Sequence, residues 1–347
     1  MILACDIGGT KTRLALFDWK DERVDAQTEQ VYISADYKSF EAILEDFLNP
    51  PQPELAETTE TEEEPPEAQP KERLKIDAAC IGVAGPVIEN RCQTTNLPWL
   101  VDGHALAIRF HIPTVQLLND LEATAHGLLQ LKPEETTALN TGIVPTQKRP
   151  MALIAAGTGL GEAILYWDGT AYHPMPSEGG HADFAPNSDL EIELLRHLRA
   201  SYLHVSWERV LSGPGLHAIY EFLRDTKRNE PTWMAERMQV EDPAAVIAEV
   251  GLKKQADIGV QALDLFASIY GAEAGNLVLK SMALSGIYLG GGIAPKLLAK
   301  LQDGAFMRGF TNKGRYKKLM TSVPVRVIVN DRAALIGAAA VAAKLAK

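Results

Sequence analysis

The chain has 347 residues, long enough for two domains with a core each, and 46% of it is hydrophobic, which excludes a disordered protein. Its net charge of −11 is concentrated: residues 54–67 hold seven glutamates and no lysine or arginine, leaving −4 for the rest. There is no concentrated basic stripe, so nucleic acid is not an expected partner.

The opening, MILACDIGGTKTRLALFDWK, reads as strand, Gly-rich turn, strand, with Asp6 where the first strand ends. Gly8-Gly9-Thr10-Lys11 is therefore not a P-loop, which needs Gly-Lys-Ser/Thr and a following helix. The next stretch, PPQPELAETTETEEEPPEAQP, is acidic, Pro-rich and without apolar periodicity, and is expected to be a solvated insertion. A strand over Ala78–Val83 leads into Gly85-Pro86, and Asn96 lies in the irregular loop TTNLPWLVDG beside Pro98 and Trp99. An aromatic beside an amide suits a sugar face and its hydroxyls, while Trp99 reads equally as core. Thr114–Leu118 is the next strand, ending at Asn119-Asp120, with a helix over Glu122–Leu131.

Met151–Ala156 then runs into Gly157-Thr158-Gly159-Leu160-Gly161, and Ala163–Trp167 is a strand closed by Asp168-Gly169. This second strand, Gly-turn, strand unit repeats the layout of the first twenty residues, which predicts two related α/β halves facing each other across a cleft. Residues 190–280 read as mostly helical. Ala283–Leu289 is a strand running into Gly290-Gly291-Gly292, and Pro295 opens a helix with Lys296–Leu301. A strand over Val325–Val329 and a helix from Ala333 complete the pattern, which is α/β.

Cys5, Cys80 and Cys92 form no CxxC pair, which disfavours a structural zinc site, and Cys5 reads as a small core residue. No signal-peptide pattern is present, and the longest apolar run, Ala333–Ala343, is too short to span a bilayer. The expectation is a cytoplasmic protein with no membrane partner.

Ligands of open α/β sheets gather outside the carboxyl ends of strands, where Asp120 could accept a proton from a bound hydroxyl or simply cap the following helix. In Glu178-Gly179-Gly180-His181 the glycines allow close backbone approach beside a carboxylate and an imidazole, although a plain polar turn has the same letters. Glu208, in WERVLSGPG, reads in isolation as an exposed helical glutamate.

Together these segments match a known set. DIGGTKTRLAL resembles the first phosphate motif of the actin, Hsp70 and sugar-kinase superfamily, AAGTGLGEAIL resembles its second, and IYLGGGIAPK resembles its adenosine-side turn. NLPW, LLND, EGGH and ERVLSGPG together resemble the bacterial ATP-dependent glucokinases of the Escherichia coli type, over nearly the whole chain, with the acidic insertion as the main departure. The cysteine-rich zinc motif of the other bacterial group, the ROK family, is absent.

The resemblance implies a two-domain actin-like (ribonuclease H-like) ATPase fold with an interdomain cleft. It implies a small domain of residues 1–130 plus 331–347, with the insertion at 50–73, and a large domain of residues 131–330. It further implies phosphorylation of glucose by ATP with Mg²⁺. Asn96, Asn119, Asp120, Glu178, His181 and Glu208 would form the glucose site, with Asp120 as base. Asp6 would aid Mg²⁺ binding, through water, while Gly8, Gly9, Thr10, Thr158, Gly159 and Gly291 would line the nucleotide. A homodimer is a candidate assembly that no motif decides. The rival readings are a kinase for mannose, fructose or an amino sugar, a sugar-sensing protein on the same fold, and a glycosidase using two of the carboxylates. The last does not account for the Gly-rich hairpins. The first turn lies too near Met1 for a DNA-binding domain ahead of it, which disfavours the sensor.

Overall fold

The computed structural model describes residues 1–20, 23–49, 74–227 and 229–347, so the acidic insertion expected at 50–73 lies outside the described residues. The chain divides into two compact units, Met1–Gln130 with Ala334–Lys347, and Leu131–Ala333.

In the first unit, β1 (Ile2–Ile7), β2 (Lys11–Lys20) and β3 (Arg23–Ile33) form an antiparallel meander. After α1 (Phe40–Leu48), β4 (Ala78–Val83) joins parallel to β1. A small hairpin, β5 (Arg91–Gln93) with β6 (Leu100–Asp102), leads through α2 (Gly103–Phe110) to β7 (Val115–Asn119), parallel to β4. Helix α3 (Asp120–Leu128) follows at once. It starts two residues earlier than the apolar pattern predicts, because the Asn119 side chain caps it by accepting the Leu121 N–H at 2.9 Å.

The sheet order is β3-β2-β1-β4-β7. Alternation along β1 explains two apolar layers. Leu3, Cys5 and Ile7 pack with Phe40, Ile43, Leu44 and Phe47 of α1, while Ile2 and Ala4 pack with Ala123 of α3 and with Leu335, Ala338 and Ala339 of the C-terminal helix (Ala333–Leu345). Cys5 is indeed a buried core residue, and Cys80 and Cys92 are buried too. Trp99 is 2% exposed within the first layer, so the structure makes it core and removes it as an aromatic platform for a sugar.

The second unit begins with β8 (Thr136–Asn140), then β9 (Met151–Ala156), β10 (Leu160–Trp167) and β11 (Tyr172–Ser177). Five helices follow, α4 (Asp189–Leu198), α5 (Gly213–Lys227), α6 (Thr232–Met238), α7 (Pro243–Leu252) and the long α8 (Asp257–Ser281). The apolar run from Ala283 is not all strand. Met282 ends α8 in the left-handed conformation, Gly286 has φ +132°, and β12 therefore begins only at Ile287, running to Gly290. Pro295 is the third residue of the short α9 (Ile293–Lys296) rather than its opening, and α10 (Leu298–Leu301) continues separately. Helices α11 (Ala305–Thr311) and α12 (Lys317–Ser322) precede β13 (Val325–Ile328).

The order here is β11-β10-β9-β12-β13-β8. Apart from the added edge strand β8, this repeats the first sheet: an antiparallel three-strand meander whose first strand takes two further parallel strands on its other side. The two Gly-rich hairpins occupy equivalent places in the two sheets, as the repeated sequence pattern predicts. One large core fills this unit, built from β9, β12 and β13 against α5, α7, α8 and α11.

Candidate active site

In the first unit the parallel register sets Ile7 beside Val83 and Val83 beside Asn119, so β1, β4 and β7 end level with one another. Asp6, the Gly8-Gly9-Thr10 turn, Gly85 and Asp120 therefore gather at one edge, outside the carboxyl ends of the parallel strands. The turn is braced from within. Gly8 donates its N–H to the Lys11 carbonyl at 3.0 Å, Ser34 donates its N–H to the Thr10 carbonyl at 3.0 Å, and the Ser34 hydroxyl donates to the Gly8 carbonyl at 2.9 Å. The Gly8 amide thus closes the hairpin. Ser34, wholly buried in unremarkable polar sequence, is a supporting residue that no motif marks.

The loop carrying Asn96 folds back onto this turn: a Cβ on Gly9 would stand only 2.9 Å from Asn96 Cβ. Thr95 holds the loop by donating its hydroxyl to the Ala84 carbonyl at 3.0 Å. Asn119 works in two directions. Its Oδ1 caps α3, and its Nδ2 donates to the Gly85 carbonyl at 3.0 Å. Asp120 is half-buried as the first residue of α3, and its Oδ1 accepts the Leu121 N–H at 2.9 Å. Asn119, not Asp120, is the cap residue of that helix. Burial, and then the Asp120 charge, raise the Cys92 thiol above its ordinary value.

In the second unit the corresponding turn closes through the Gly157 N–H, which donates to the Gly159 carbonyl at 2.9 Å. Thr158 is exposed at its tip. Gly291, just past β12, has φ +76° and lies so close to the Ala156 carbonyl that any side chain would overlap it. Thr158, Gly159 and Gly291 are thereby brought together at the ends of β9 and β12.

Beside them sits the turn Glu178–His181, a tight 3₁₀ turn with His181 N–H to Glu178 O at 3.0 Å and Ala182 N–H to Gly179 O at 2.9 Å. Glu208, far off in sequence, is fastened to it by the backbone: Glu208 N–H donates to Gly180 O at 2.9 Å, and Trp207 N–H donates to Ala182 O at 3.0 Å. His181 Nδ1 then lies 3.9 Å from Glu208 Oε1, and His181 Nε2 lies 3.9 Å from Glu178 Oε2. Glu208 Oε2 accepts the Leu160 N–H at 3.0 Å, next to Gly159. An exposed carboxylate, an imidazole and a half-buried carboxylate, each of hydrogen-bonding type, thus converge beside a Gly-rich turn, an arrangement able to hold a polyhydroxylated ligand. Glu208 is therefore not a free helical glutamate.

Among the described residues no helix is long and apolar enough to cross a membrane. The chain matches the family model described as glucokinase over residues 3–345. It is 39% identical over 363 residues to the glucokinase of Nostoc punctiforme, covering 99% of each chain. It is 33% identical over 338 residues to that of an Enterobacter species, covering 97% of this chain and 95% of the relative. The crystal structure of a glucokinase from an Antarctic psychrotroph superposes with a TM-score of 0.80 at 28% identity, over 99% of this chain and 98% of that one. With the actin-like sheet order repeated in both units and the family match spanning nearly every residue, the chain belongs to the glucokinase family.

Proposed function

We propose that the chain phosphorylates the 6-hydroxyl of D-glucose with ATP, with Asp120 as the general base. Membership of the glucokinase family over residues 3–345 is the observation that carries the reaction. The roles of individual residues rest on the two groups described above.

Asn96, Asn119, Glu178, His181 and Glu208 hold the sugar through its hydroxyls. Asp120 orients the 6-hydroxyl and takes its proton as the oxygen forms a bond to the γ-phosphorus. The bond from that phosphorus to the β-phosphate oxygen breaks, and ADP leaves. The backbone of Gly9 and Thr10 in one hairpin, and of Thr158 and Gly159 in the other, approaches the phosphates without intervening bulk, while Gly8 supports the first turn and Gly291 the nucleotide side. Mg²⁺, when bound, neutralises charge on the phosphates. It is commonly held by one or two carboxylates together with phosphate oxygens and water, and Asp6, half-buried at the end of β1 beside the phosphate turn, fits that donor set.

We place the enzyme in the cytoplasm, and a homodimer is the assembly to test by sizing. A coupled assay for glucose 6-phosphate with ATP and Mg²⁺ tests the reading. Profiling mannose, fructose and glucosamine at equal concentration tests the sugar. A preference for any of these over glucose would overturn the substrate assignment.

A further inference from the structure

Two carboxyl groups in the second unit have no place in the chemistry above. Glu162 on β10 is 2% exposed and Glu273 on α8 is 0% exposed, and the two lie within hydrogen-bonding reach of each other. Along β10, Leu160, Glu162 and Ile164 share the face that packs on the large core, which is why a residue two positions past the phosphate turn points at α8. Two ionised carboxylates in contact without water are strongly disfavoured, so one proton stays with the pair. Burial, and then Glu273, push the Glu162 carboxyl up to about 8.

The partners decide which group keeps that proton. Glu273 has the cationic side: its Oε2 accepts from Asn276 Nδ2 at 2.8 Å, and Lys280 Nζ stands 3.6 Å from its Oε1. Lys313, which donates to Asn276 Oδ1 at 2.6 Å, adds positive charge behind it, and Glu191 acts on Lys313 in turn. Tyr270 on the same helix is itself pushed up by burial. The residue paired with Glu162 across β9 is Ile154, and that across β11 is Ser177. Oε1 of Glu162 and Oε1 of Glu273 are both buried without a hydrogen-bond partner, so the pair's proton belongs on Glu162, the acid with fewer donors around it.

The other oxygen has a second neighbour. Glu162 Oε2 is packed against Gly179, so closely that a Cβ there would overlap it, and Ser177 Oγ accepts the Gly179 N–H at 3.1 Å. Gly179 begins the turn that presents Glu178 and His181. We propose that the Glu162–Glu273 carboxyl pair, holding one proton between them, is a positioning device for the Glu178–His181 turn and thereby sets glucose affinity. Glu162 touches no substrate. It acts by keeping a neutral surface under Gly179.

The proton is bound more tightly when Glu162 is packed under the turn than when it swings out to water. Raising the pH therefore favours release. The effect runs from the ordinary carboxyl range up to about 8 and levels off above it, where both arrangements are ionised. This inference rests on the turn being part of the sugar site.

The test is glucose binding to the full chain by calorimetry between pH 6 and 9, for the native protein and for Glu162→Gln, which keeps the size and the donor without the titration. Native affinity should fall at least threefold between pH 6 and 8 and then level off. In Glu162→Gln the fall over the same range should shrink to less than half its native size. Superimposable profiles would overturn the proposal. If Glu162→Gln does not fold, Glu273→Gln is read instead. Removing the neighbouring charge should move the levelling point to lower pH, and an unmoved one overturns the idea. Absence of glucose binding at every pH would instead refute the functional reading itself.

Discussion

Gly180→Ala tests whether the Glu178–His181 turn is a sugar-binding element or an ordinary bend. A Cβ at Gly180 would overlap the Leu160 carbonyl oxygen and meet the Leu160 carbonyl carbon at 3.0 Å and its Cβ at 3.2 Å. Ordinary contact needs about 3.5 Å, so something must move by on the order of 1 Å. Leu160 belongs to β10, which is laddered to β9 on one side and β11 on the other, so the turn yields rather than the strand. Its displacement strains the Glu208 N–H to Gly180 O bond of 2.9 Å and shifts Glu178 and His181 together. Overpacking of this kind costs about 1–3 kcal/mol, and the weakened hydrogen bond adds about 0.5–1.5 kcal/mol. A misplacement of ~1 Å in a binding constellation lowers turnover by as much as ~100-fold. We expect kcat/KM for glucose to fall between about tenfold and a hundredfold, with KM for ATP within about twofold, in a steady-state coupled assay. Thermal melting should show a loss of roughly 2–4 °C per kcal/mol, the scale for a unit of this size. A variant whose melting point drops while kcat/KM for glucose stays within twofold would refute the argument, because the turn would have moved without the sugar noticing.

Asp120→Asn keeps the acceptor for the Leu121 N–H and removes the proton acceptor, so kcat should fall by roughly 10²–10⁴ with glucose binding, read by calorimetry, changed far less. A variant with half its kcat would remove Asp120 as base. Gly157→Ala meets no protein atom within 4 Å and Gly157 has no positive φ, so its melting point should stay within about 1 °C while KM for ATP rises. Unchanged KM would mean that the phosphates do not approach this turn. Trp99→Phe should lower stability, since a core side chain of the first unit loses volume, and should leave KM for glucose within about threefold. A larger rise in KM at unchanged stability would restore the indole as a sugar contact.

The sequence carries the repeated architecture through its punctuation. Gly8-Gly9 and Gly157-Thr158-Gly159 each follow an apolar run, and both become hairpin turns closed by the N–H of their first glycine. The bounds of β4 are legible because six buried residues stand directly before Ala84-Gly85-Pro86, where the chain must turn. Ala283–Leu289 fails by the same logic in reverse. Its apolar letters hide a left-handed helix end at Met282 and a turn at Gly286, so hydrophobicity alone overstates the strand. The functional group in the second unit is less legible still. Glu178 and Glu208 meet through two backbone hydrogen bonds, and backbone pairing across thirty residues has no local periodicity to betray it; only the family's motif order joins them. Glu162 is the extreme case. In LGEAILYW its neighbours two positions away are Leu160 and Ile164, so alternation sets an acid on an apolar face and gives no sign of what would meet it there. It is buried because α8, more than a hundred residues later, covers that face and sets Glu273 against it. A buried acid on a strand that starts at the phosphate turn and backs the sugar turn is thus a property of the assembled unit. That is why motif reading finds the groups proposed to touch substrate and passes over the one beneath them.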